Sequence, residues 1–238
     1  LGKNYCPMCL LFYSYYLIQD QSEPTNFSVP TGNFGDVYAG YLAKKMGLPI
    51  NKLLVATNQN DILHRAISNG NYEAEIVSET ISPSMDIQIA SNFERLIFDL
   101  NDKNSEQTSK DMMRIKEEGK YLIDQEKLNL INQDFLSARM SETETLNVIK
   151  SVYKEFNIVL DPHTAIAYGA FDKHDLSGNN IVLATAHPCK FPDAIQSAIN
   201  IKAELPNELQ FILNEKENYD VLENDIEIVK EYIKEKSK

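Results

Sequence analysis

Ten residues, Phe27-Ser28-Val29-Pro30-Thr31-Gly32-Asn33-Phe34-Gly35-Asp36, constrain the fold of this chain more than any other stretch. An apolar strand pattern passes into a turn with two glycines and then into a helix pattern. Neither glycine carries a Cβ, so the spacing predicts a tight turn and a close approach of backbone to an anion. Amides at the start of the following helix have no intrahelical acceptor, and the helix dipole favours negative charge there. The loop lacks the Gly-Lys-Ser/Thr ending of a nucleoside-triphosphate loop and the three-glycine spacing of a dinucleotide fingerprint. On spacing alone, a ligand-free strand-to-helix connection is as good a reading as a phosphate cradle.

The flanks set the fold class. Val37 to Gly47 reads as one helix, with Val37, Tyr41, Leu42 and Met46 near the helical period and Gly47 where a terminating glycine belongs. Leu53-Leu54-Val55-Ala56-Thr57 suits a buried parallel strand, Asn58, Asn60 and Asp61 supply a turn and cap, and Ile62 opens another helix. This alternation predicts an α/β fold, a parallel sheet with helices on both faces. Ligands on such sheets sit beyond the carboxyl ends of the strands, where Gly32 falls. Ile181-Val182-Leu183-Ala184-Thr185 is a second buried-strand pattern, with Thr185 at the same sheet edge. Gly32 and Thr185 are therefore expected to share a pocket.

Three regions follow from the patterning. Residues 1–100 read as an opening helix and then alternating strands and helices, with Ile87 to Leu100 as a one-faced apolar helix. Cys9 to Ile18 suits a helix packed inside the core. Residues 101–157 turn to charged helices, including Glu142 to Phe156, and read as a helical insertion. Residues 158–238 read as the remainder of the same domain. There Asp161-Pro162 marks a helix start, which offers a structural reading of Asp161 and His163 beside a functional one. Phe191 to Ile201 is a further helix, and a terminal helix from Asp225 is expected to pack.

Composition excludes several functions. A net charge of -12 leaves no basic face for a nucleic acid and no attraction to anionic lipid. No apolar run approaches the ~20 residues of a membrane span. Three cysteines, Cys6, Cys9 and Cys189, point to a reducing, cytoplasmic setting. Cys6-Pro7-Met8-Cys9 has half of a metal-site spacing but no second pair, so no metal is expected. His64 and His174 lack ligand spacing as well; His187 and Lys190 adjoin Thr185 and could either touch a substrate phosphate or belong to a loop that simply holds the strand end in place.

The residues from Val29 to Pro49, VPTGNFGDVYAGYLAKKMGLP, closely resemble the cofactor-phosphate loop and helix of the threonine synthase family. Four more segments resemble it in the same order. They are Ser82-Pro83-Ser84-Met85-Asp86-Ile87 with Ser91-Asn92-Phe93-Glu94-Arg95-Leu96, then Asp161-Pro162-His163-Thr164-Ala165, then Ala184-Thr185-Ala186-His187-Pro188, and Lys190-Phe191-Pro192. The resemblance covers roughly residues 26–200 and only the later half of the enzyme. It implies a pyridoxal-phosphate enzyme of the tryptophan-synthase-β-like, type II fold. Such an enzyme converts O-phosphohomoserine and water to threonine and phosphate, a step of threonine biosynthesis. It further implies that Gly32, Asn33, Phe34 and Gly35 surround the cofactor phosphate, and that Asp36 fixes the loop by accepting hydrogen bonds. Thr185 is implied to meet the ring nitrogen with a neutral hydroxyl, making the cofactor a milder electron sink.

The family's cofactor-bearing lysine lies in a phenylalanine-lysine-aspartate setting that does not occur here. Phe171-Asp172-Lys173 has the wrong order and comes too late, so no catalytic residue is named. The family's asparagine-tryptophan-alanine-arginine helix entry corresponds to Asn4-Tyr5-Cys6-Pro7, which replaces the arginine with a proline awkward inside a helix. A fragment is therefore expected, either a piece of a longer protein or a split or decayed gene product, and in the split case a separate amino-terminal half would carry the lysine. The alternative is a non-catalytic remnant or pyridoxal-phosphate-binding module.

Overall fold

A computed structural model describes residues 2–237, with side chains from residue 7 onward. It falls into two compact units, residues 1–203 and 204–238. The first holds the sheet. β1 (Thr25–Pro30), β2 (Ile50–Thr57), β5 (Phe135–Arg139) and β6 (Asn179–Val182) form one parallel sheet in the order β5-β2-β1-β6. A two-stranded antiparallel ribbon pairs β3 (Asn71–Glu73) with β4 (Lys120–Leu122).

The sheet is buried on both faces, which is why β2 reads as a continuous apolar run. Successive side chains of a strand point to opposite faces. Leu53 and Val55 pack on one side with α2 (Gly35–Lys45), α3 (Ile62–Asn69) and α4 (Phe93–Leu100). Leu54 and Ala56 pack on the other with Ile166, Ala167 and Ala170 of α8 (Pro162–Ala170). Full burial of one such side chain stabilises the fold by ~1.5–3 kcal/mol.

Several expectations need correction. The residues after Asp86 are irregular, and the helix starts only at Phe93. The backbone N–H of Asn92 and its side-chain amide donate to Asn33 O, and Ala90 N–H donates to the Tyr72 hydroxyl, so these groups bond outside any helix. Residues 101–157 supply α5 (Ser105–Glu118), α6 (Gln125–Asp134) and α7 (Glu142–Phe156), but also β4 and the sheet-edge strand β5. β5 pairs with β2 from Leu53↔Phe135 to Thr57↔Arg139, so this stretch is built into the sheet.

α1 (Gly2–Tyr16) contains Pro7 and buries Leu11 and Tyr15, while Leu10, Tyr13 and Tyr16 are at least half exposed. It is therefore packed on one side only, and the Cys6 side chain lies outside the described residues. α9 (Pro192–Ile199) closes the first unit. The second unit carries a 3₁₀ segment, Asn207–Asn214, and α10 (Ile226–Lys236), and neither has a buried residue. Within this unit, Ile226, Ile228 and Ile233 of the terminal helix are exposed, in contrast to the packed helix expected. No helix among the described residues is long and apolar enough to cross a membrane.

Candidate functional site at the strand ends

β1 and β6 run side by side, with Ser28 opposite Val182, so the loops that leave them emerge at one sheet edge. There Gly32, Asn33 and Asp36 line a cavity of about 200 Å³ together with Thr185 and Lys190. The two segments, some 150 residues apart, meet as expected. Ser84, Met85 and His163 complete the wall.

The turn itself works differently from the expectation. Neither Gly32 nor Gly35 has a positive φ; the left-handed residue is Phe34, at φ 66°. Its ring is fully buried, edge-on to Phe93 at 5.2 Å and tilted against Phe135 at 5.8 Å, and this packing offsets the backbone strain. Gly32 is required for close approach: a Cβ there would stand 2.4 Å from the backbone oxygen of Ser84. At Gly35 a Cβ would stand 3.0 Å from Asn33 Oδ1. Phe34 and Gly35 therefore shape the loop from behind the cavity lining.

Asp36 does not brace the loop. Among the described residues no donor reaches its carboxylate, whereas Asn33 Oδ1 accepts the Gly35 amide at 2.9 Å and Asn33 O accepts the Asn92 side chain at 3.0 Å. The two asparagines brace it instead. Burial raises the Asp36 pKa above the ordinary carboxylate value. The amides of Asp36 and Val37, in the first turn of α2, likewise have no acceptor among the described residues.

His163 is the residue that pattern reading missed. Its place in a helix start is as the Asp161-Pro162 pattern predicts: Asp161 Oδ1 accepts the His163 and Thr164 amides at 2.9 and 3.4 Å. The imidazole, however, turns into the cavity wall. Only the DPHTA motif could have signalled this, since periodicity places His163 merely in a first helical turn.

The other candidates lie elsewhere. His64 Nδ1 meets the Ser137 hydroxyl at 2.9 Å and His174 Nε2 meets Ser137 O at 3.0 Å. His187 accepts the Cys189 amide at 3.2 Å and caps a 3₁₀ turn without lining the cavity. Lys173 pairs with Glu144, whose pKa its hydrogen bond and those from Ser141 bring down to about 2. No His, Cys, Asp or Glu cluster among the described residues could hold a metal ion. A larger cavity of about 500 Å³ lies near Tyr38, Arg95 and Phe98, but no glycine loop or strand end opens into it.

Comparison with known proteins bears on the family and the fold. A family model described as "Threonine synthase, C-terminal" matches residues 164–233. Threonine synthase of Pseudomonas aeruginosa is 41% identical over 210 residues, covering 87% of this chain and 45% of that protein. The Saccharomyces cerevisiae enzyme is 39% identical, over 96% of this chain and 50% of its own. The solved PLP-bound threonine synthase from Brucella melitensis superposes with a TM-score of 0.90 at 40% identity, over 98% of this chain and 50% of that one. The chain spans about half the length of the curated relatives it matches. By these identities and coverages the chain belongs to the threonine synthase family and corresponds to a carboxy-terminal part of its members.

Proposed function

We propose that this chain forms the phosphate-binding side of a threonine synthase-type lyase that takes O-phospho-L-homoserine and water to L-threonine and phosphate. The observation that carries the reading is one cavity combining the glycine loop, the residue Asp36 with its open amide, a hydroxyl and a lysine. This donor set fits pyridoxal 5'-phosphate. The amides of Asp36 and Val37, at the positive end of α2, would hold the phosphate, with the backbone of Gly32 and Asn33 alongside. Thr185 would face the ring nitrogen, and its neutral hydroxyl would leave that nitrogen largely unprotonated. Lys190 adds a positive charge on the same wall. When bound, the cofactor supplies an electron sink that acidifies first the Cα and then the Cβ proton of an amino acid.

Asp36 limits how much negative charge the cavity takes. Burial already favours its protonated form, and a phosphate beside it would favour that form further. Protonated in acid, Asp36 can donate a hydrogen bond to the phosphate; ionised at higher pH, it opposes the anion.

The cavity is smaller than the ~300–1,000 Å³ usual for a cofactor site, as one wall of a shared pocket would be. The missing wall, with the lysine, would come from an amino-terminal half supplied separately or by the same protein. The exposed apolar side of α1, Leu10, Tyr13 and Tyr16, favours such a covering partner. The free thiols of Cys9 and Cys189 suit a reducing, cytoplasmic setting.

The test is to mix this chain with a matching amino-terminal half and measure phosphate release from O-phosphohomoserine. Release by the mixture and by neither part alone is the expected result. Cofactor binding without release would favour the non-catalytic binding module, and absence of both would overturn the reading.

A further inference from the structure

We propose that His163 is a positioning residue, whose Nε2 holds the Ser84 amide and thereby sets the 82–86 loop against Gly32 to shape the anion cavity. The inference deepens the proposed function and rests on it for the identity of the anion. It begins at Asp161, which is almost wholly buried and accepts the His163 and Thr164 amides and the Thr164 hydroxyl. Burial alone would raise its pKa, but the hydrogen bonds from His163 and Thr164 outweigh this and keep it lowered. A carboxylate so held accepts only. His163 Nδ1, at 3.0 Å from Asp161 Oδ1, must therefore carry the proton.

That tautomer leaves Nε2 with a lone pair, and the Ser84 amide points at it from 3.3 Å. The Phe191 ring, 4.8 Å from the imidazole centre, limits its rotation. On the far side of the loop, the Ser84 oxygen abuts Gly32, where a Cβ would collide with it. The end of the loop is fixed independently: Asp86 accepts from Asn58, Asn60 and the Thr80 amide at 2.8–2.9 Å. At its middle, the Ser84 amide has His163 as its acceptor. Three distant segments thus meet through one imidazole, in the order Asp161, His163, Ser84, Gly32.

Two isosteric substitutions separate this role from mere packing. His163→Gln places an acceptor near the Nε2 position, whereas His163→Asn keeps a donor toward Asp161 and loses the reach to Ser84. The first measurement is hydrogen exchange of the Ser84 amide in the full chain without ligand. Protection within about twofold of wild type is expected for H163Q, and a loss of roughly three- to tenfold for H163N. The second is affinity for inorganic phosphate, expected to fall in the same order. A role confined to the Asp161 contact predicts the reverse order, and that outcome overturns the proposal. So does an H163Q protein with wild-type urea stability but an unprotected Ser84 amide, or an H163N protein with full protection. Failure of wild type to bind phosphate would count against the proposed function, while the exchange data would still decide the role of His163.

Discussion

The starts of α2 and α8 lie on the same cavity, and each carries an aspartate, yet they are finished in opposite ways. Asp161 at α8 is buried and bonded to two amides, a hydroxyl and an imidazole. Asp36 at α2 has no donor among the described residues, and the amides beside it are open. Their pKa values move apart accordingly, Asp161 downward and Asp36 upward. The comparison teaches how to tell a structural helix start from a binding one. A terminus that satisfies its own amides is a fixture, and one that leaves them bare awaits an anion.

The largest expected effect comes from breaking the closed terminus. Asp161→Ala leaves two buried amides, a hydroxyl and the imidazole without their acceptor and should lower stability by about 2–4 kcal/mol in urea unfolding. The sign of its pH dependence follows from the lowered pKa. Stabilisation is present above the unfolded value and disappears as pH falls through the folded one, so wild type and Asp161→Asn should converge in acid.

Next, Gly32→Ala places a Cβ against Ser84 O and should cost about 1–3 kcal/mol while abolishing phosphate binding. If binding survives, the loop is not held against Gly32 and the open terminus is not the anion site. Smaller, and opposite in sign, is Asp36→Asn. The raised pKa means that Asp36 favours folding below its unfolded value and loses that contribution as pH rises through the folded one. The asparagine should therefore gain less than about 1 kcal/mol near neutral pH, and phosphate affinity should rise by a few-fold in calorimetric titration. A weaker affinity would mean that Asp36 donates to the anion even at neutral pH. Smallest is Phe211→Ser in the second unit, where the side chain is largely exposed; thermal unfolding should stay within about 0.5 kcal/mol of wild type.

Much of this was readable from local pattern. The β1–α2–β2–α3 alternation, the terminating Gly47 at φ 105° and the Asp161 cap all follow from short-range rules, because the residues concerned satisfy one another within a few positions. The convergence of Gly32 and Thr185 was also readable, since parallel strands deliver their loops to one edge. Other features were not. The segment before Phe93 carries an apolar period but is drawn out of helix by bonds to Asn33 and Tyr72, which lie far away in sequence. β5 was hidden inside a helix-rich stretch because five residues at a sheet edge leave little periodic signal.

What the sequence by itself determined is the parallel sheet, the place of the glycine loop on it and the family, since each rests on patterns or motifs contiguous along the chain. Only the tertiary structure decided which residue turns the loop, which aspartate is satisfied and which imidazole reaches the cavity. Phe34 adopts a left-handed backbone because Phe93 and Phe135 enclose its ring, and His163 faces Ser84 because the buried Asp161 fixes its tautomer. Both depend on contacts between residues far apart in the chain, and no local preference encodes these.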